Sequence, residues 1–143
     1  MNQREIFSSR VLNAPVVKVY AAFENPELLK LWWGPEGFTN TIHEFDLKPG
    51  GNWRLTMHGP EQGNYENAAV FTTVIPNQKV AWQRSSPPLF AMEVAFIALE
   101  AHQTQISFRM IFDSVEACEK IRKFAAPKNE ENFDRLERVL MND

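Results

Sequence analysis

The chain has 143 residues, 44% of them apolar and 12% aromatic, a formal charge of −3 and one cysteine. That length suits one domain, 1–143, which buries roughly two-thirds of its unfolded surface, and the composition excludes disorder. The acidic balance excludes a nucleic-acid or anionic-membrane surface as the main partner, and the lone Cys118 excludes an internal disulfide.

A reducing compartment follows from that cysteine usage. With no signal peptide and no apolar run near the ~18 residues of a membrane span, a cytoplasmic monomer or simple oligomer is expected. Eleven Phe and four Trp are many for this length, so something bulky is packed or enclosed.

Glu5–Leu12 alternates as a strand, Ile6, Ser8 and Arg10 on one side and Phe7, Ser9 and Val11 on the other. Asn13-Ala14-Pro15 ends it and starts a helix with Val16, Val19, Tyr20 and Phe23 on one stripe. Asn25-Pro26-Glu27 repeats the start signal, with Asn25 as cap, and opens a second short helix through Trp32. Trp33-Gly34-Pro35 closes it.

Thr39–Pro60 reads as two strands joined at Pro49-Gly50-Gly51. The predicted register sets Leu47 against Trp53, Asp46 against Arg54, Phe45 against Leu55 and His43 against Met57. One face then holds Phe45, Leu47, Trp53, Leu55 and Met57, with His43 at its end, and the other holds Glu44, Asp46, Arg54, Thr56 and His58. An antiparallel pair with one buried face has this pattern.

Asn64–Ile75 and Lys79–Arg84 form a second hairpin around Pro76-Asn77-Gln78, with Val74 facing Val80 and Thr72 facing Trp82. Both of its faces are partly apolar, so the pattern leaves the inner one undecided. Ser85–Pro88 is an irregular link. Leu89–Glu100 and Thr104–Phe112 form a third hairpin, aligned as Met92 with Phe112, Val94 with Met110, Phe96 with Phe108 and Ala98 with Ile106.

Asp113 and Glu116 suggest a capping box for a helix carrying Val115, Cys118, Ile121 and Phe124, interrupted at Pro127. A final helix from about Asn129 to Leu140 lines up Phe133, Leu136, Val139 and Leu140. The fold class is α+β: an antiparallel sheet of about six to seven strands, two short helices after the first strand, and a C-terminal helix covering the apolar face.

Several stretches together resemble a known family. They are SSRVLNAPVVKVYAAFENPELLKLWWGPEGFT, DLKPGGNWRLTMHGP, AVFTTVIPNQKVAW and NFDRLERVL, in the expected order over nearly the whole chain. Each element is short, but their joint occurrence is similar to the Activator of Heat-shock Protein 90 ATPase homologue family, a branch of the START-like (Bet v 1-like, SRPBCC) superfamily. The resemblance implies a helix-grip fold, a curved sheet wrapped round a long C-terminal helix. It also implies an apolar internal cavity, used in that superfamily for lipids or other hydrophobic small molecules. The family name derives from co-chaperones, which implies a chaperone or other protein as an alternative partner. Pro127 departs from the pattern, since it would shorten the gripping helix.

No catalytic motif emerges. His43 and His58 fall on opposite faces in the predicted register, His102 lies in a turn, and Cys118 has no CxxC partner, so neither a metal site nor a cofactor is expected. The serine pairs Ser8-Ser9 and Ser85-Ser86 lack a histidine and acid at nucleophile spacing. Pro49-Gly50-Gly51 is a hairpin turn and not a phosphate loop.

Trp32 and Trp33 are either core packing or the wall of a pocket mouth, where an indole can be half apolar and half wet. The expected cavity wall comprises those two with His43, Phe45, Leu47, Trp53, Leu55, Met57, Phe96, Phe108, Met110 and Phe133; packed core is the alternative for the apolar ones. The expected function is binding of a hydrophobic small molecule or lipid without catalysis. A co-chaperone-like interaction module is the alternative, and an enzyme acting on an aromatic or polyketide-like ligand, with His43 as first suspect, is a third reading.

Overall fold

A computed structural model describes residues 3–141. The chain runs β1 (Glu5–Leu12), α1 (Val16–Glu24), α2 (Pro26–Trp32), β2 (Thr39–Phe45), β3 (Asn52–His58), β4 (Asn64–Ile75), β5 (Lys79–Arg84), β6 (Ala91–Glu100), β7 (Gln103–Ile111) and α3 (Val115–Met141). The strands form one curved antiparallel sheet in the order β1-β7-β6-β5-β4-β3-β2, and α3 lies against it in a helix-grip-like α+β arrangement. Short links make sequence neighbours pair, and only β1 crosses over, to the far side of β7.

Local signals account for the helix starts. Asn25 accepts from the Glu27 amide at 3.0 Å ahead of Pro26, as a cap before a first-turn proline should. The start of α3 differs from expectation. Ser114, not Asp113, takes the cap position, its Oγ accepting from the Ala117 amide at 3.1 Å.

A second correction concerns Pro127, which lies inside an unbroken 27-residue α3. Proline removes one helical hydrogen bond and crowds the carbonyl four residues earlier. Here Pro127 and Lys123 are both exposed, so water can satisfy that carbonyl and the helix continues.

Registers shift from expectation in instructive ways. The third hairpin pairs Met92 with Met110, Val94 with Phe108 and Phe96 with Ile106, two residues from the predicted alignment. Side chains alternate with a period of two, so an even slip leaves every residue on its expected face. The β4–β5 turn places Asn77 at φ 64°, and Val74 meets Val80 as expected, but an irregularity past Thr73 pairs Trp82 with Phe71 instead of Thr72.

The first hairpin departs further. Phe45 pairs with Trp53 and Glu44 with Arg54, because the Asp46 amide bonds the Asn52 carbonyl and closes a longer loop. Gly51 permits this closure: a Cβ there would sit 1.9 Å from the Asp46 carbonyl oxygen. Arg54 therefore pairs with Glu44 at 3.0 Å, not with Asp46. A bulge at His43 then adds an odd step, turning Ile42 inward against Leu55 and His43 outward.

The inner face carries Ile6, Leu12, Trp53, Leu55, Phe71, Val80, Trp82, Val94, Ile106 and Phe108, all buried beneath the helices. Arg10 also faces inward and ties β1 to α3. Its guanidinium meets Asp134 and Glu137 at 2.6 Å each and Glu130 at 2.8 Å, and lies over the Phe133 ring.

Candidate functional site

The space between sheet and helices is filled with aromatic rings. Phe23 from α1 stands at its centre, stacked on Trp82 at 5.8 Å and meeting Trp32, Trp33, Phe45 and Trp53. Trp33 lies 5.2 Å from Trp53 and 5.7 Å from Trp82, while Phe133 of α3 closes on Phe108 at 4.6 Å. Between Trp33, Trp53, Leu55 and Trp82 a void of about 20 Å³ remains. That is room for one water and not for a ligand.

An open groove of about 610 Å³ lies where β3 and β4 curl away from α3. Met57 and Tyr65, paired across β3 and β4, project from the sheet, and Asn67 stands beside them. Pro35 and Phe38 come from the loop after α2, Arg84, Pro87 and Pro88 from the end of β5 and the link beyond, and Lys128 from α3. Phe38 packs on Tyr65 at 6.0 Å, giving the groove an aromatic side. Asn67 and Arg84 line both and thus connect the groove floor to the small void.

The loop 33–38 is held in place by side chains of α3, among them Glu131, which accepts from the Glu36 amide at 3.0 Å, and Arg138, which pairs with the Glu36 carboxylate. Arg135, buried, donates from Nη1 to the carbonyls of Trp33, Gly34 and Pro35 and from Nη2 to those of Leu31 and Phe38, all within 2.8–3.0 Å. Asn132 donates to the Trp32 carbonyl at 2.7 Å. Burial pulls the Arg135 guanidinium below its ordinary pKa, but the group stays charged at any physiological pH. Five carbonyl dipoles replace its lost water.

The residues expected to line a cavity separate into groups. Met57 borders the groove, and Trp33, Trp53 and Leu55 border the void beneath it. Trp32 is wholly buried, its indole N–H donating to the Ala22 carbonyl at 2.9 Å. Phe96, Phe108, Met110 and Phe133 are buried in the core, and Phe45 and Leu47 pack half-buried against it.

His43 is on the outer face, where its Nε2 lies 2.7 Å from the Thr56 hydroxyl. That hydroxyl donates to the Glu66 carboxylate at 2.8 Å, so its proton is already engaged and is not available to His43 as a base. Among the described residues no three His, Cys, Asp or Glu side chains gather into a metal-binding group.

Sequence reasoning missed Phe38, Tyr65, Asn67 and Arg84. Tyr65 and Asn67 sit on the odd-numbered face of β4, which the doubly apolar pattern of that hairpin left unassigned. The Ser85–Pro88 link has no periodicity to read. The one available signal was Arg84 itself, a charge ending a strand whose other inward residues, Val80 and Trp82, are apolar.

The family described as Activator of Hsp90 ATPase homolog 1-like protein matches residues 13–141. The chain belongs to that family. Its fold is shared with solved bacterial proteins of low sequence identity. A protein from Nitrosomonas europaea superposes with a TM-score of 0.88 at 19% identity, covering 98% of this chain and 96% of the other. One from Arthrobacter aurescens gives 0.89 at 21% identity, over 99% and 88%. The AHSA1 protein of Silicibacter pomeroyi gives 0.76 at 16% identity, over 96% and 97%. Among curated proteins no sequence matches this chain. Family membership supports a binding domain, and among the described residues no helix is long and apolar enough to cross a membrane.

Proposed function

We propose that this member of the family binds a hydrophobic small molecule in the groove between α3 and the curled end of β3–β4, without covalent chemistry of its own. The observation that carries this reading is the groove itself. Its volume of about 610 Å³ falls within the roughly 300–1,000 Å³ of small-molecule sites, and Pro35, Phe38, Met57, Tyr65, Pro87 and Pro88 give it apolar walls. The ring-filled interior argues for a ligand seated at the mouth rather than enclosed at the centre, since displacing Trp33 would expose the rings it touches.

Native mass spectrometry of the purified protein, followed by thermal shift with C8–C12 apolar compounds, tests the reading. Retention of a small molecule or a raised Tm, lost in Tyr65→Asp, is the expected result. Absence of both would overturn it.

A protein partner is the second reading, favoured by the outer face, where Phe7, Val11 and Ile97 on β1 and β6 are each about half exposed. Charge reversal at Arg54, elsewhere on that face, or Phe7→Asp would then abolish capture of a partner and leave small-molecule binding in place.

A further inference from the structure

The groove holds a cation, Arg84, that no carboxylate pairs with among the described residues. Arg84 ends β5, pairs with Ala69 on the inner face, and borders both the groove and the void beneath it. Its guanidinium is anchored through one edge only. Nε donates to the Pro88 carbonyl at 2.8 Å, and Nη2 donates to Asn67 Oδ1 at 2.7 Å, Ser86 Oγ at 3.2 Å and the Pro87 carbonyl at 3.3 Å. The Phe90 ring lies 5.3 Å beneath it. Every one of these partners is neutral. Among the described residues no carboxylate forms an ion pair with Arg84, and none accepts from Nη1. Glu66 also borders the groove, but its carboxylate takes the Thr56 hydroxyl on the outer face.

The void beneath supplies a second, independent observation. Trp53 is 2% exposed and lines it together with Arg84, and the indole N–H of Trp53 has no acceptor. A buried donor without a partner costs about 1–3 kcal/mol unless water or a ligand satisfies it. Two residues that each carry a donor without an acceptor, Trp53 and Arg84, therefore line one small space at the floor of an apolar groove. Lys128 adds positive charge at the rim.

We infer that the groove takes an apolar acid: its carboxylate pairs with Nη1 of Arg84, and its hydrocarbon or aryl body lies along Phe38, Met57, Tyr65 and Pro87. This rests on the binding reading above and specifies its ligand class. The anchored edge serves the Pro87–Pro88 link, and the remaining edge is presented already oriented, which lowers the ordering cost of an anion contact. Burial holds the guanidinium below its ordinary pKa, consistent with a charge that has lost water and gained no counter-ion.

Isothermal titration of the full chain with decanoate, decanol and decyl phosphate provides the test, repeated on Arg84→Gln and Lys128→Gln. Decanoate should bind roughly tenfold to a hundredfold more tightly than decanol, as a charge-assisted hydrogen bond implies. Arg84→Gln should remove that preference and Lys128→Gln should not. Equal affinities for acid and alcohol in the unmutated protein would overturn the inference and leave the groove reading intact. A preference that survives Arg84→Gln would also overturn it, and decyl phosphate binding above decanoate would replace the carboxylate with a phosphate head group. If none of the three binds, the groove reading itself falls. The comparison of ligands on the unmutated protein decides the matter even if Arg84→Gln fails to fold.

Discussion

Arg135 Nη1 donates to the Gly34 carbonyl at 2.9 Å, linking the last helix to a loop 101 positions earlier. Four further carbonyls of residues 31–38 share the same guanidinium, so one side chain sets the wall that carries Pro35 and Phe38. Replacing it removes a donor from all five, although Trp33 keeps the Asn40 amide and Pro35 the Phe38 backbone N–H.

Arg135→Met should lower stability by about 2–4 kcal/mol in urea unfolding followed by tryptophan fluorescence. Arg135→Lys keeps the charge but cannot fork to five acceptors, and should fall between. A loss under about 1 kcal/mol in the methionine variant would show that the remaining contacts from Glu131, Asn132 and Arg138 hold the loop without Arg135.

Gly34 should resist a side chain chiefly through its backbone. Its φ of 94° lies in the left-handed region, and a Cβ would stand 2.7 Å from Met57 Cε. Gly34→Ala is expected to cost about 1–3 kcal/mol. The double variant with Met57→Ala should recover the steric part and not the conformational part, a coupling that a mutant cycle on urea midpoints would measure.

Pro127 gives a prediction of opposite sign. In an unbroken helix with that position exposed, Pro127→Ala restores a backbone donor and should stabilise the chain by about 1–3 kcal/mol. Had the proline separated two helices, the change would be neutral. A shift in Tm distinguishes these outcomes.

What the sequence made legible follows from this contrast. The even slip in the third hairpin cost nothing, because Val94, Phe96, Phe108 and Met110 stayed on their face. His43 was misplaced because one bulged residue is invisible in an alternating pattern, yet it inverts everything from Thr39 to His43 relative to the turn. Pro127 misled because propensity does not report which side of a helix faces water. The abundance of rings and the apolar faces of the first and third hairpins were readable from composition and periodicity, but the inward placing of Phe71 and Trp82 was not, because the irregularity past Thr73 is what sets them opposite each other. The groove was not: it forms from a strand end, a loop and an aperiodic link that only the sheet's curl brings together.

Cys118 supplies a pH-dependent prediction. The thiol is fully buried, and that burial raises its pKa, with nearby Arg122 opposing and Glu119 and Glu5 assisting. In the unfolded chain the thiol ionises near its ordinary value, about 8.5. Above that pH the unfolded state releases a proton that the folded state keeps, so stability falls as pH rises. Below it the term is constant. Cys118→Ala should flatten the alkaline limb of the stability–pH curve, and a thiol reagent at pH 7 should modify Cys118 only at the rate of unfolding.

The placement of α3 after all seven strands has a consequence for biosynthesis. The seven strands are complete by Ile111, while the helix that covers their ring-bearing face spans Val115–Met141. A nascent chain on the ribosome therefore leaves Phe108 without its Phe133 partner until α3 has emerged. The edge contributed by β1 is secured late as well, since Arg10 finds Glu130, Asp134 and Glu137 only on that final helix. Truncation, stalling or a premature stop within α3 should yield an aggregation-prone sheet rather than a smaller folded protein.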